Sequence, residues 1–179
     1  VSLSLISCEK DTRYVDRLSD AGLFNDTMQK LTDVIVYDIF SPVVASRVYV
    51  YPTVAAYSVM QKAYPEKYAS LSGQLKEFTD IPELAEGVNP QLAAIHAFLV
   101  VGKQLIFSEN RIDEYRESLY EELDDLGMPS REFDASIAYG EAVAAHILAW
   151  ADTDFYKQTR TFPKYTIQEG DQFWKPTPP

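Results

Sequence analysis

Apolar positions along this chain recur three and four residues apart, the period of a helix with one buried face. Nowhere do they alternate over a useful length, as a half-buried strand would require. The first such series is Met28, Leu31, Val34, Ile35 and Ile39, with Asn25 or Asp26 placed to cap it. Ser41-Pro42 follows, a cap residue with proline in the first turn, where its missing N–H costs nothing. The helix it opens runs from 43 to about 63 and contains Pro52. An interior proline deletes a backbone bond and clashes with the preceding turn at ~3 kcal/mol, so a kink or break is expected near residues 49–52. Pro65, Gly73, Pro82 and Gly87 make 64–88 a connector, with one short helix expected around 68–78.

Asn89-Pro90 repeats the cap-plus-proline start and leads a helix carrying Leu92, Ile95, His96, Leu99, Ile106 and Phe107. Ser108 caps the next, which sets Ile112, Tyr115, Leu119, Leu123 and Leu126 on one face and Glu114, Glu117, Glu121, Asp124 and Asp125 on another, with Gly127 as its stop. Ser130 opens the last long helix, 131 to about 151. Its alanines at 138, 142, 144, 145 and 149 suit a central buried position approached closely by neighbours. The expected fold is therefore all-α, a bundle of about five main helices over 25–151, one of them kinked at Pro52. An apolar leader over 1–8, a polar tether over 9–24 and an irregular, proline-rich extension over 152–179 lie outside it.

Composition narrows the function classes. The 179 residues are 46% hydrophobic and 13% aromatic, enough for a real core. A net charge of −11 argues against nucleic acid, which calls for a basic stripe, and against attraction to anionic lipid headgroups. The one cysteine, Cys8, rules out an intrachain disulfide and a cysteine-based zinc site. It stands where Val1-Ser2-Leu3-Ser4-Leu5-Ile6-Ser7 gives way to Glu9-Lys10-Asp11, a switch from apolar to polar. Leu5-Ile6-Ser7-Cys8 resembles the bacterial lipobox, so the chain is expected to begin inside an export signal and to be lipidated at Cys8. That implies a bilayer partner through the acyl chains and a place in the bacterial cell envelope. A frayed apolar terminus with a stray thiol is the other reading.

No residue set for chemistry is visible. There is no Gly-x-Ser-x-Gly elbow and no glycine-rich phosphate loop, and Glu141 and His146 are spaced wrongly for the Glu-x-x-His pair of a di-iron bundle. His96 shares a face with Leu92, Leu99 and Val100, and His146 with Tyr139, Val143 and Trp150. A lone histidine on an apolar face is more often a hydrogen-bonded core residue than a ligand. Arg47, just before Pro52, is expected to bond carbonyls that the kink frees, with an anion site as the alternative. Lys157 and Arg160 form a small basic patch with Tyr156 and Phe162.

A resemblance adds what spacing does not. The run Asp33-Val34-Ile35-Val36-Tyr37-Asp38-Ile39-Phe40-Ser41-Pro42 through Arg47, with Tyr51 and Ala55-Ala56-Tyr57, carries its first half. Ala94-Ile95-His96-Ala97-Phe98, Gly102-Lys103, Tyr139-Gly140, Ala149-Trp150-Ala151, the run from Tyr156 to Arg160, and Trp174 with Pro176-Thr177-Pro178-Pro179 carry the second. Together they resemble the N-terminal helical region of vanadium-dependent haloperoxidase-like proteins of the phosphatidic-acid-phosphatase type 2 superfamily. That family holds vanadate or phosphate through a Lys followed by Arg-Pro, a Pro-Ser-Gly-His segment, and a Ser-Arg segment ending in His. None of the three occurs here, and Pro129-Ser130-Arg131-Glu132 is not Pro-Ser-Gly-His. The resemblance thus implies a non-catalytic helical portion with no catalytic, cofactor-binding or metal residue of its own. Its partner would be a C-terminal half that holds the oxyanion, as haloperoxidase or phosphatase. Such a portion is expected to expose an apolar face drawn from Leu92, Ile95, Leu99, Val143, Ile147 and Trp150. The alternative is a free-standing surface lipoprotein that binds a partner or glycan through its tyrosines.

Overall fold

A computed structural model describes residues 12–177, which leaves Cys8 outside the described residues. Its regular elements are all helical: α1 (Arg13–Ser19), α2 (Ala21–Tyr37), α3 (Pro42–Ala63), α4 (Pro90–Gln104), α5 (Glu109–Asp125), α6 (Ser130–Ala151), a 3₁₀ turn (Asp152–Asp154) and α7 (Tyr156–Thr159). None of these helices is long and apolar enough to cross a membrane.

The centre is α4, not α6. Ten of its 15 residues are buried, because Leu92 to Leu99 and Val101-Gly102 leave it no polar face. The helices packed most extensively on it are α3 and α6. The alanines of α6 at 138, 142, 145 and 149 face outward, and Ala144 and Ala151 are the buried ones. Leu92, Ile95, Leu99, Val143 and Ile147 are all core residues, and Trp150 is half-buried, so these six form no open apolar face. Exposed apolar side chains gather elsewhere, around the α2–α3 turn (Val36, Tyr37, Ile39, Val43) and along the stretch after Ala151 (Phe155, Phe162, Trp174).

The bundle also begins earlier than the apolar period indicates. Residues 13–19 and 21–24 are helical rather than a tether, and Tyr14, Leu18 and Leu23 enter the core. Asp20 caps α2 by accepting the Gly22 N–H at 2.8 Å, in place of Asn25 or Asp26. Arg17 donates to Glu122 at 2.8 Å and the Tyr14 hydroxyl to Glu132 at 2.9 Å, which fastens α1 across α5 and α6. Seven residues make too short a helix for a periodicity window to register.

Pro52 does not break α3, which is helical from Pro42 to Ala63. Its ring is buried, and the Thr53 hydroxyl donates to the Tyr49 carbonyl at 2.8 Å, next to the Val48 carbonyl whose partner N–H proline lacks. The short helix expected at 68–78 is a series of turns, with Gly73 at φ 76° and Glu77 at φ 59°. Phe78 and Ile81 anchor that connector in the core.

Asn89 does cap α4, accepting the Leu92 N–H at 3.1 Å with Pro90 in the first turn. Gly127 (φ 84°) ends α5: its N–H bonds Asp124 O at 2.9 Å and the Met128 N–H bonds Leu123 O at 3.0 Å. The end of α2 repeats this geometry with a β-branched residue. Ile39 holds φ 54° while its N–H bonds Val36 O and the Phe40 N–H bonds Ile35 O. A left-handed conformation costs an L-residue ~1–2 kcal/mol, and Ile39 is 88% exposed, so little burial offsets it. Ile39→Gly is therefore expected to stabilise the chain by about 1 kcal/mol in urea unfolding, less a few tenths for glycine's greater unfolded-state freedom. A destabilised variant would mean that the isoleucine side chain has a partner.

Candidate functional site

Three helices converge on His96. The ring is 2% exposed on α4, with Tyr120 of α5 against Nδ1 and the Glu141 carboxylate of α6 at 3.0 Å from Nε2. Gly140 makes the approach possible, since a Cβ there would stand 2.8 Å from His96 Cδ2 and 2.9 Å from the Ala93 carbonyl oxygen. Burial pushes the His96 pKa down, against the pull of Glu141, and the Arg116 cation lowers it further. Burial likewise pushes the Tyr120 phenol up. The neutral imidazole has one donor and one acceptor, and the carboxylate can only accept. Nε2–H therefore donates to Glu141, and Nδ1 accepts the Tyr120 O–H. His96 is the hydrogen-bonded core histidine its apolar neighbours suggest, with both ring nitrogens engaged.

Arg47 does not bond carbonyls near Pro52. Its Nε donates to Asp154 Oδ2 at 2.6 Å and Nη2 to the Ala151 carbonyl at 3.5 Å, with the guanidinium 4.5 Å from the Tyr156 ring centre. Tyr51 also donates to Asp154 Oδ2 (2.9 Å) and the Tyr156 N–H to Oδ1 (2.8 Å). Partial burial would raise the Asp154 pKa, but Arg47 and these two donors together hold it below the usual carboxylate range. The Tyr51 phenol is pushed up to about 12 by burial and by the carboxylate beside it. The cluster clamps the end of α6 to α3. Its charge is already neutralised, so Arg47 is no free anion donor.

His146 fixes the connector to α6, its Nε2 lying 3.1 Å from the Thr79 carbonyl, while Trp150 Nε1 donates to the Lys76 carbonyl at 3.1 Å. Lys157 pairs with Asp152 at 2.8 Å, and Arg160 lies over Tyr156, so this basic patch is tied to its own neighbours. A hollow of about 530 Å³ opens where the α1–α2 junction meets α3 and α4, with Leu18, Phe24, Ala56, Met60 and Ile95 among its walls. The charged side chain lining it is Asp20, an anion.

Vanadate or phosphate needs several positive donors converging on one point and an imidazole free to ligate or attack. Arg17, Arg47, Lys62, Lys103, Arg116 and Lys157 each sit against a carboxylate. Both imidazoles are engaged, and the hollow presents an anion. These groups do not fit an oxyanion.

Sequence reasoning missed the Tyr120–His96–Glu141 chain and the Arg47–Asp154 clamp. Their members lie 24, 45 and 107 residues apart, beyond any local spacing rule. A Glu-x-x-His rule reads along one helix, whereas the Glu141–His96 pair joins two.

The chain is an all-helical bundle around one apolar helix, with side-chain hydrogen bonds and ion pairs that tie helices together. Comparison places it further: the chain is a relative of the vanadium-dependent haloperoxidases. It is similar to the crystal structure of the first bacterial vanadium-dependent iodoperoxidase, at 42% identity and a TM-score of 0.75, over 87% of this chain. It spans 37% of that protein's length. No family model matches the sequence, and no curated protein does.

Proposed function

We propose that this chain is the non-catalytic helical portion of a haloperoxidase-like lipoprotein of the bacterial cell envelope, anchored through acyl chains on Cys8. In this reading its helices pack beside, and partly wall, an oxyanion site whose ligands come from the rest of a longer polypeptide, and vanadate or phosphate is that polypeptide's cofactor or substrate. The observation that carries it is the match to 37% of a vanadium iodoperoxidase by a chain whose clustered cations are neutralised by carboxylates. The lipid anchor rests on Leu5-Ile6-Ser7-Cys8 alone.

One preparation tests both parts. The chain is produced behind a complete bacterial export signal leading into Leu5-Ile6-Ser7-Cys8, in a bacterium fed labelled palmitate, and the purified product is assayed with vanadate, hydrogen peroxide and iodide, then with a phosphomonoester. Label is expected on the wild type and absent from Cys8→Ala, with turnover of neither substrate above a buffer blank. Activity would overturn the non-catalytic assignment, and label persisting in Cys8→Ala would overturn the anchor.

A further inference from the structure

We propose that the hollow at the α1–α2 junction is a binding site for a neutral, largely apolar small molecule, an alkyl chain or a pair of rings whose head group donates a hydrogen bond. Its floor lies between α3 and α4. Ala56 of α3 and Ala94 of α4 line it beside Ile95, and each of the three is 4% exposed. Two one-carbon side chains at that depth leave room that a leucine would fill, in a bundle otherwise packed with larger apolar groups. At about 530 Å³ the space falls in the range of small-molecule sites, ~300–1,000 Å³.

The walls are braced from outside, so the hollow is formed before anything enters it. Arg17 and Tyr14 tie α1 to Glu122 and Glu132, which fixes Leu18 in its place on the wall. Phe24 of α2 stands edge-on to Phe98, with ring centres 5.4 Å apart. On α3, the Tyr57 hydroxyl donates to the Ala69 carbonyl at 2.9 Å, and its ring meets that of Tyr68 edge-on. Met60 adds an unbranched thioether, which adjusts to the shape beside it.

Charge selects the occupant. Among the described residues no cation lines the hollow, and the carboxylate of Asp20 stands at its rim, 61% exposed. That carboxylate accepts the Gly22 N–H and has no hydrogen to donate. The Thr53 and Tyr57 hydroxyls already donate to the Tyr49 and Ala69 carbonyls, so what they still offer is oxygen lone pairs. An alcohol or amine head therefore finds acceptors, whereas a carboxylate, phosphate or sulfonate head meets an anion with no lining cation to offset it.

Two dyes that share one ring skeleton test this. Phenylnaphthylamine is neutral and carries an N–H, and anilinonaphthalenesulfonate adds an anion to the same rings. The neutral dye should saturate at one molecule per chain and bind at least about ten-fold more tightly than the sulfonate. The net charge of −11 also repels the sulfonate, so the local share is read from Asp20→Asn, which keeps an acceptor to cap α2. That variant should bind the sulfonate about three-fold more tightly or better, with the neutral dye changed by less than about two-fold. Ala56→Leu and Met60→Trp place bulk in the hollow and should each weaken the neutral dye about ten-fold or more. By NMR, amide signals of residues 18–24 and 91–95 should move as it binds. No saturable binding of the neutral dye overturns the proposal, as does a sulfonate that binds as tightly or that ignores Asp20→Asn. Signals that move only at 36–43 and 107, where exposed apolar side chains gather, put the dye outside the hollow and overturn it too. If Ala56→Leu does not fold, Met60→Trp and the amide signals decide.

Discussion

Gly140→Ala is expected to destabilise the chain by about 2 kcal/mol, the opposite of what helix propensity alone gives. A glycine inside a helix costs roughly 1 kcal/mol relative to alanine, so an alanine free of contacts would stabilise α6. Here the added Cβ would meet the Ala93 carbonyl oxygen at 2.9 Å and two carbons of His96 at 2.8 and 3.2 Å. The carbonyl belongs to the backbone of α4 and cannot step aside, and the imidazole is held at both nitrogens. The two helices must separate by some tenths of an ångström, and overpacking of this kind costs ~1–3 kcal/mol beyond the propensity gain it cancels. Gly102 supplies the control. A Cβ there would meet the tip of Leu31, Cδ1 at 3.3 Å, the flexible end of a side chain. Gly102→Ala should therefore lie within about 1 kcal/mol of wild type. Urea midpoints at constant m-value make the comparison. A Gly140→Ala protein as stable as Gly102→Ala would mean that α4 and α6 are not as close as described.

That contrast shows what is legible in a sequence. Asn89-Pro90 and Gly127 announce the start of α4 and the end of α5, because caps and left-handed stops are decided within a few residues. The break expected at Pro52 does not occur, since α3 is helical from Pro42 to Ala63. The cost of an interior proline is real, but the Pro52 ring is buried against the bundle, and burial is not a local property of the sequence. The choice of central helix fails similarly. Alanines at 138, 142, 145 and 149 are small wherever they stand, and four of them on the outer face of α6 carry the same composition as four in a core. The better signal was the absence of any polar face between Leu92 and Gly102. At the site, the apolar neighbours of His96 correctly mark it as a core histidine. Its partners on α5 and α6 follow only from the three-dimensional packing. The relation to haloperoxidases is of another kind again, since it rests on runs such as Asp33 to Arg47 and on no catalytic signature.

Phe98→Ala is expected to have the largest effect of any single truncation, ~3–5 kcal/mol. The ring is fully buried in the middle of α4 and meets Phe24 of α2 edge-on, with centres 5.4 Å apart at 74°. Truncation removes most of the ring's burial, the aromatic pair, and the support that α4 gives to α2, and the surrounding helices can collapse only partly into the hole. Against a typical domain stability of about 5–15 kcal/mol, that is enough to leave a substantial unfolded fraction at moderate temperature. Phe162→Ala removes the same atoms from an exposed position after α7 and should lie within about 0.5 kcal/mol of wild type. The pair separates a ring that holds the bundle together from one that contributes nothing to the isolated chain's stability. If Phe162→Ala also costs several kcal/mol, the stretch after Ala151 is packed on the bundle. If Phe98→Ala costs less than about 1 kcal/mol, α4 is not the centre of the fold, and the assignment of this chain as a helical wall built around it falls with that result.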